Sequence, residues 1–384
     1  MRKITANLAL PFILLIVILA LLELYFRLFD PQSLRLSRPD PVLGWVHVAN
    51  TEGLWQKDCF SARLRFNSEG MRDVEHAIAK PEGTYRIAVI GDSIVTGQEV
   101  DLEETVYRRL EAVLQGAGRD VEVLGFAVRG FGTDQEYRLL EHYALKYEPD
   151  LVVLVFTGND IRNNSLTLEK NPGKPYFELA PDGTLVARPF TPMPDHSNTW
   201  KSILFENLHL VRFVYFRVGK IPWVHNALVK FGVYANVITE PGGGDDLGKY
   251  NEYRALPWSA EWEEAWRLTQ SILLEFRART ERAGARFILL GVANTMQLSD
   301  EDFDKLRNDY PHIPLDRDIV HKRLASFSAA EGIDYLPSLP AMRELQAAGT
   351  EVRLSCDGHW SREAHQRAAE ILAGYITAGD YFRE

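Results

Sequence analysis

The stretch Tyr85-Arg-Ile-Ala-Val-Ile-Gly-Asp-Ser-Ile-Val-Thr-Gly97 decides the fold prediction for this chain of 384 residues. Its first half is apolar and β-branched, which predicts a strand buried on both faces. The strand stops at Gly91-Asp92-Ser93, and the residues after Gly97 become acidic and helical. A strand, a tight turn that carries a serine, and a helix are how an α/β fold presents a nucleophile at the carboxyl end of its sheet. An ordinary turn before a helix cap would use the same residue types, so the rest of the chain has to distinguish the two interpretations.

Strands and helices alternate along most of the chain after residue 81. The other predicted strands are at residues 121–126, 151–156, 286–292 and 333–337. Near-continuous apolar strands that alternate with helices indicate a parallel sheet covered by helices on both faces. We therefore divide the chain into an N-terminal segment at 1–30, a linker with a small β extension at 31–80, and an α/β domain at 81–384. A long insertion interrupts that domain at about 161–257.

The N-terminal segment is much more apolar than the rest. Arg2 and Lys3 precede an apolar run at residues 6–22. A helix over about residues 4–29 covers the roughly 20 residues that cross a bilayer. No Ala-x-Ala-like site follows the run, so we favour an uncleaved membrane anchor over a cleaved signal peptide. The basic N-terminus should stay in the cytoplasm, which sends the body of the protein outward.

The overall composition excludes several classes of function. The net charge is −10, from 43 basic and 53 acidic residues, which gives no general basis for nucleic-acid binding. The sequence contains no Gly-x-x-x-x-Gly-Lys, Cys-x-x-Cys or His-Glu-x-x-His motif. We therefore expect no nucleotide, no other cofactor and no metal ion.

Two other features each allow more than one interpretation. The two cysteines, Cys59 and Cys356, form a disulfide if the body lies outside the cytoplasm, or are two unrelated buried thiols. The aromatic-rich run at residues 200–223 packs as core, which we favour, or lies on a membrane surface or over a substrate groove.

Polar residues and glycines follow several predicted strands, where an α/β fold places its chemistry. Ser93 follows the first strand and Gly130 the second, while Gly158-Asn159-Asp160 follows the third. Asp357 and His359 lie in the loop before the last helix. Taken one at a time, these residues also fit ordinary structural roles, as a turn glycine, a helix cap or a packed histidine. Their joint placement at one edge of the sheet predicts an active site.

These residue types fit nucleophilic catalysis. A serine hydroxyl needs a base to remove its proton, and His359 can take the proton and return it to the leaving group. Asp357 can orient the imidazole, because residues two apart in an extended segment project to the same side. Backbone N–H groups of Ser93 and Gly130 and the side-chain amide of Asn159 can form an oxyanion hole. His365, the competing base, falls within a helical pattern, and we interpret it as structural.

The motifs resemble those of the SGNH/GDSL hydrolase family. Gly91-Asp92-Ser93 is similar to the first block of that family, Gly130 to the second, Gly158-Asn159-Asp160 to the third, and Asp357 with His359 to the last. The upstream segments at 40–45 and 66–73 look like the lead-in of bacterial, membrane-anchored members. Asp357 stands two residues before the histidine instead of the usual three, a form that resembles envelope-associated members. The first block continues as Gly-Asp-Ser-Ile instead of Gly-Asp-Ser-Leu, a conservative change.

This resemblance implies a flavodoxin-like, three-layer α/β/α sandwich with a parallel sheet of order 2-1-3-4-5. It also implies serine-dependent esterase or acyl-transfer chemistry without a metal. We expect a single-pass protein of the bacterial inner membrane with a periplasmic or extracellular body. Its substrate would be an acylated small molecule or, in our leading hypothesis, an acetylated glycan of the envelope or a secreted glycan. The alternatives are an O-acyltransferase with the same triad and a non-catalytic binding protein, which would not need all five residues.

Overall fold

The structure, a computed structural model, describes residues 2–30, 36–194, 199–216, 221–230, 247 and 251–382. The chain divides into two compact units. The sheet unit comprises Pro39–Met193 and Gly242–Glu384, and the helical unit comprises Met1–Arg38 and Pro194–Pro241. Of the predicted linker, residues 31–35 lie outside the described part of the chain.

A five-stranded parallel sheet forms the centre of the sheet unit. The strands of the described residues are β1 (Ser37–Asp40), β2 (Gly44–His47), β3 (Glu52–Lys57), β4 (Phe60–Arg65), β5 (Tyr85–Gly91), β6 (Val121–Ala127), β7 (Leu151–Phe156), β8 (Phe177–Leu179), β9 (Leu185–Ala187), β10 (Arg286–Gly291) and β11 (Tyr335–Pro337). The central sheet has the order β11-β10-β7-β5-β6, and all its neighbouring strands are parallel. Numbered along the chain, this order is 2-1-3-4-5, so the predicted topology is confirmed.

Helices flank this sheet. The helices of the described residues are α1 (Arg2–Phe29), α2 (Ser93–Thr96), α3 (Val106–Gly116), α4 (Thr133–His142), α5 (Asp160–Asn163), α6 (Leu166–Glu169), α7 (Trp200–Asn207), α8 (His209–Phe216), α9 (Pro222–Lys230), α10 (Ala260–Arg282), α11 (Thr295–Leu298), α12 (Asp300–Asp309), α13 (Ile319–Glu331), α14 (Leu339–Ala347) and α15 (Arg362–Ala378). Within the described ranges, 3₁₀ turns lie at Leu102–Glu104, Ala144–Tyr147 and Glu252–Arg254.

The sheet has a separate hydrophobic core on each face. Successive strand residues point to opposite faces, and along β5 Ala88 and Ile90 join one core whereas Ile87 and Val89 join the other. Helices α4, α10 and α13 contribute to the first core, and α3, α14 and α15 contribute to the second. This is the predicted three-layer arrangement. Because the strands are parallel, the loops after β5, β6 and β7 leave the sheet at one edge.

Two small hairpins accompany the sheet. Strand β3 pairs with β4 and β8 pairs with β9, both antiparallel. The β3–β4 hairpin belongs to the predicted β extension, and β8–β9 lies in the predicted insertion. The boundary between the two units falls within β1.

The helical unit, unlike the sheet unit, leaves many large apolar side chains exposed. Within α1, Leu10–Phe29 is long and apolar enough to cross a membrane, a test that a signal sequence also passes, and 6% of this window is buried. Residues 217–220 of the aromatic-rich run lie outside the described residues. The favoured interpretation of that run as core is wrong for its two tryptophans, because Trp200 is 68% exposed and Trp223 is 74% exposed.

Candidate active site

Ser93 is held where the central strand β5 ends. The strand runs to Gly91, and Asp92 caps the short helix α2 by accepting a hydrogen bond from the Ile94 N–H at 2.9 Å. Helix α2 ends after one turn at Gly97, whose φ of +56° lies in the left-handed region that favours glycine. Ser93 is therefore the first residue of a helix, where backbone N–H groups have no intrahelical partner.

His359 meets Ser93 across the loop that precedes α15. Its Nε2 lies 2.9 Å from the Ser93 Oγ, a hydrogen-bonding distance. Its other ring nitrogen, Nδ1, hydrogen-bonds to the Asp357 carboxylate. A hydrogen bond and a left-handed glycine fold this loop back on itself. The Leu354 N–H donates to the His359 carbonyl at 2.8 Å, and Gly358 adopts a φ of +80°. The structure thus brings together the three predicted catalytic residues.

Asp357 lies in a cationic environment. Its side chain is 1% exposed, and burial alone would raise the pKa of its carboxyl group. Hydrogen bonds from His359 and Lys57 outweigh this effect, and the Arg129 guanidinium 3.8 Å away adds to them. Together they hold the pKa of Asp357 well below its usual range. Asp357 is therefore an anion throughout the neutral range and can stabilise an imidazolium on His359.

A second carboxylate, Glu99, faces the same histidine, and sequence reasoning missed it. Its Oε1 lies 3.6 Å from His359 Nδ1 and accepts a hydrogen bond of 2.6 Å from Arg129. The side chain of Glu99 is 1% exposed. The sequence gives no spacing signal for Glu99, Arg129 or Lys57, because each comes from a different loop or hairpin.

Glu99, Asp357 and His359 together form a group of potential cation ligands. Ligand atoms of Glu99, Asp357 and His359 lie within 4.8 Å of one another. Both carboxylates already bind cationic side chains, Lys57 for Asp357 and Arg129 for Glu99. The arrangement is therefore explained by ion pairs with the protein's own side chains.

A disulfide fastens the loop of Asp357 to the β3–β4 hairpin. Cys59, in the hairpin turn, is bonded to Cys356, with a Cα–Cα distance of 5.9 Å. The structure therefore favours the disulfide over two unrelated thiols. Lys57 is two residues from Cys59, and Asp357 is adjacent to Cys356, so the covalent bond and the Lys57–Asp357 ion pair lie side by side.

Gly130 and Asn159 line the same cavity as Ser93 and His359. This cavity has a volume of about 650 Å³. Gly130 has a φ of +82°, a conformation that glycine adopts without strain, in the loop after β6. Asn159 precedes α5 at the end of β7. The structure thus places all five predicted site residues around one cavity.

Buried acids lie behind the Ser93 turn. The Thr157 hydroxyl is 3.1 Å from Asp92 Oδ2 and 3.2 Å from Asp160 Oδ1. Burial, and then the nearby charge of Asp92, raises the pKa of Asp160 well above its usual value. The Thr157 hydroxyl is therefore a hydrogen-bond donor that two buried carboxyl groups, Asp92 and Asp160, share.

Glu136 extends this group of acids. It is fully buried, and neither carboxylate oxygen has a hydrogen-bond partner among the described residues. Burial, followed by the charges of Asp160 and Asp92, raises the pKa of Glu136 well above its usual value. Unlike Glu136, the nearby Asp134 has a hydrogen-bond partner, because the Lys174 ammonium donates to it at 2.6 Å.

His365 takes a structural position. It is 1% exposed, and its Nδ1 accepts a hydrogen bond of 3.1 Å from the Val106 N–H. Burial lowers the pKa of His365 to about 3, so the ring stays neutral. This agrees with its interpretation as a packing residue instead of the base.

Comparison with known proteins shows a similarity to one family of enzymes. Residues 89–173 match the model of the GDSL-like Lipase/Acylhydrolase family. A comparison with curated proteins found no match. Among solved structures, the chain is similar to TesA at 14% identity and a TM-score of 0.37, over 76% of this chain and 98% of that chain.

Two acetylxylan esterases are also similar in structure. One is the acetyl xylan esterase AlAXEase, at 12% identity and a TM-score of 0.39, over 76% of this chain and 99% of that chain. The other is a catalytic mutant of Axe2 from Geobacillus stearothermophilus, at 12% identity and a TM-score of 0.38, over 78% of this chain and 97% of that chain. The family match agrees with the resemblance seen in the sequence motifs: residues 89–173, which include Ser93, Gly130 and Asn159, match the GDSL-like lipase/acylhydrolase (SGNH/GDSL) family.

Proposed function

We propose that this protein is a membrane-anchored serine esterase that removes acyl groups, acetyl in the first place, from a glycan. One observation carries the proposal: His359 Nε2 lies 2.9 Å from Ser93 Oγ while its Nδ1 is bound to Asp357. A serine, a base and an orienting carboxylate in this order are the arrangement needed for an activated nucleophile. Membership in a family of lipases and acylhydrolases supports ester chemistry.

The reaction proceeds through an acyl-enzyme. Ser93 Oγ attacks the ester carbonyl carbon while its proton moves to His359 Nε2, which gives a tetrahedral intermediate. The bond between that carbon and the alcohol oxygen then breaks, and His359 returns the proton to the departing alcohol. Water attacks the acyl-serine with His359 again as the base, and the acid is released with Ser93 restored. The anionic Asp357 stabilises the imidazolium in both halves.

Three donors stabilise the oxyanion of each tetrahedral intermediate. They are the N–H groups of Ser93 and Gly130 and the side-chain amide of Asn159, all at the wall of the cavity. Neutral donors suit this role because they are already oriented and carry no charge that must be desolvated.

The rest of the cavity supports a polar substrate. Amide and guanidinium side chains are among the other residues that line it: Asn163, Asn251, Asn294, Arg254 and Arg353. Side-chain amides pair a donor with an acceptor, which matches the hydroxyl groups of a sugar better than an acyl chain. We therefore place a glycan in the cavity instead of a long-chain lipid.

Two features support an anchored protein with its body outside the cytoplasm. The Leu10–Phe29 window has the length and hydropathy of a membrane span. The Cys59–Cys356 disulfide is typical of an oxidising compartment. A periplasmic body on an inner-membrane anchor combines both features.

The test is hydrolysis of an acetylated oligosaccharide by the full chain in detergent, compared with its Ser93→Ala variant. Loss of the nucleophile should lower kcat by on the order of 10⁴–10⁶. Ser271→Ala is the matched control, because the Ser271 hydroxyl donates to the Arg267 carbonyl within α10. That variant should retain full activity.

Adding an unacetylated acceptor oligosaccharide separates the esterase from the alternative. Free acetate as the product supports the esterase, and acetyl groups on the acceptor would replace it with an O-acetyltransferase that uses the same residues. Equal rates for the wild type and Ser93→Ala under both conditions would contradict both the esterase and the O-acetyltransferase hypotheses.

A further inference from the structure

The helical unit carries apolar side chains that no described residue covers. In α7, Trp200, Ile203 and Leu204 are 68%, 51% and 40% exposed. Their spacing of three and four residues places them on one face of the helix. No residue of α7 is buried. An exposed tryptophan beside two exposed aliphatic residues is uncommon on a protein surface that faces only water.

Contacts within the helical unit connect this apolar face to the proposed membrane span. The Glu23 carboxylate near the end of α1 accepts the N–H groups of His209 and Leu210 at 3.1 and 2.8 Å, which caps the start of α8. Phe26 stacks on Phe213 with 4.4 Å between the ring centroids. Helix α8 is therefore fixed to the last two turns of α1.

Helix α7 is fixed to α8 in turn. Phe205 and Tyr215 meet edge to face with 5.2 Å between the ring centroids. The chain of contacts thus runs from the end of the span through α8 to α7. The end of a membrane span lies at the level of the lipid head groups. Helices held beside that end lie at the same level.

We propose that α7–α9 form an interfacial membrane-binding element, in which Trp200 and Trp223 enter the head-group region of the bilayer that α1 spans. The occupant of the apolar face is lipid. This inference rests on the membrane anchoring in the proposed function and goes beyond it, because an anchor requires a span and no further contact with lipid.

The chemistry of the exposed residues favours lipid over a protein partner. Tryptophan is enriched at the membrane interface because its ring is apolar and its N–H is polar. Trp200 is adjacent to Lys201, and α9 carries Trp223 near its start and the exposed Lys230 at its end. Lysines beside interfacial aromatic residues attract the head groups of anionic lipids.

A labelling experiment on the full chain tests this proposal. Single-cysteine variants Trp200→Cys and Trp223→Cys accept an environment-sensitive fluorophore, because both native cysteines are in the disulfide. The labelled protein is reconstituted into vesicles of phosphatidylethanolamine and phosphatidylglycerol that contain a nitroxide-bearing lipid. Both positions are exposed, so the substitutions remove no buried contact.

Two further labels provide the controls. Leu19→Cys, within the proposed span, reports on anchoring alone. Ile78→Cys is the matched surface control, because Ile78 is 57% exposed and lies between the charged residues Glu75 and Lys80. We expect a blue shift and a loss of emission to the lipid nitroxide at positions 19, 200 and 223, and neither at 78.

Each other outcome overturns the proposal in a distinguishable way. If position 19 is quenched while 200 and 223 behave like 78, the interfacial element is wrong and the anchor stands. If position 19 is not quenched, anchoring itself fails. If 200 and 223 are shielded from a water-soluble quencher but unaffected by the lipid nitroxide, a protein partner or a second copy of the chain covers them, and lipid does not.

Discussion

The two sides of the candidate site shift the pKa values of their buried carboxyl groups in opposite directions. On the base side, Asp357 is paired with Lys57 and His359, and its pKa is lowered. On the nucleophile side, Asp160 and Glu136 are buried next to other acids, and their pKa values are raised. Burial acts in the same direction on all three, so the neighbouring charges decide the difference.

This comparison shows how one residue type acquires opposite pKa shifts on the two sides of one site. In the proposed mechanism, the anionic Asp357 stabilises the charge that develops on His359. Asp160, whose pKa is raised, lies behind the Ser93 turn, where burial beside Asp92 disfavours a second negative charge. Changing single groups on either side can break or refine this distinction.

The largest effect is expected for Asp357→Asn. The amide cannot stabilise an imidazolium and can hold the ring in the wrong tautomer, so kcat should fall by about 10⁴-fold. Steady-state kinetics on an acetyl ester measures this change, and KM should move little. If Asp357→Asn retained most of its activity, Glu99 would have to be the orienting carboxylate, and Glu99→Gln would then be the damaging variant.

The next largest effect concerns the covalent link. The double variant Cys59→Ser/Cys356→Ser should lower the free energy of unfolding by about 2–4 kcal/mol, because the disulfide closes a loop of 297 residues. Urea unfolding of the full chain in detergent measures the change. Lower kcat in the folded variant would show that the disulfide also positions Asp357. Unchanged stability would mean that the ion pairs suffice to hold the hairpin.

Lys57→Met should act more weakly. The Lys57 side chain is 44% exposed, so solvent screens its charge, and we expect about a tenfold loss in kcat, equivalent to about 1.4 kcal/mol. Lys57→Arg should restore most of the loss, which a purely packing role would not predict. Lys80→Met is the matched control, because Lys80 pairs with Asp150 at 2.6 Å outside the residues that line the cavity.

The smallest effect is expected on the nucleophile side, for Glu136→Gln. Because the folded-state pKa of Glu136 is raised, its favourable contribution is present at low pH and is lost as the pH rises through that folded-state value. Glutamine does not titrate, so the variant should differ from the wild type by no more than about 1 kcal/mol at pH 5 and lose less stability towards about pH 9.

Thermal unfolding across this pH range measures the difference. The exposed Glu264→Gln in α10 is the control, and its profile should follow that of the wild type. A wild-type profile already as flat as that of Glu136→Gln would show that Glu136 is ionised in the folded protein, contrary to the comparison.

Much of the sheet unit could be predicted from local patterns. Buried parallel strands produce continuous apolar runs, so the sequence predicts all five central strands, whereas their order was implied by the family resemblance. The stretch after Gly97 that is predicted to be helical begins with a 3₁₀ turn at Leu102–Glu104, and the α-helix itself begins only at Val106, because Thr105 is extended. The helices α12 and α14 were not predicted. The favoured core position of the 200–223 run was wrong for Trp200 and Trp223, since apolar composition alone does not show whether a side chain is buried or exposed.

The site was predictable where its residues follow strands or lie in the loop before the last helix. Ser93, Gly130 and Asn159 follow strands that the sequence reveals, and the structure places them around one cavity. Lys57 reaches the site from a separate hairpin, and no local pattern carries that information. The pair of cysteines is the sequence signal that points to Lys57. A disulfide between Cys59 and Cys356 places the β3–β4 hairpin beside Asp357.

The hydrogen bond between Ser93 and His359 joins residues 266 positions apart. During synthesis at 5–20 residues per second, the histidine is therefore added roughly 10–50 s after the serine. A nascent chain already contains its nucleophile strand while the base and the orienting acid are still missing. The proposed esterase therefore gains its hydrolytic activity only once the loop before α15 has been made.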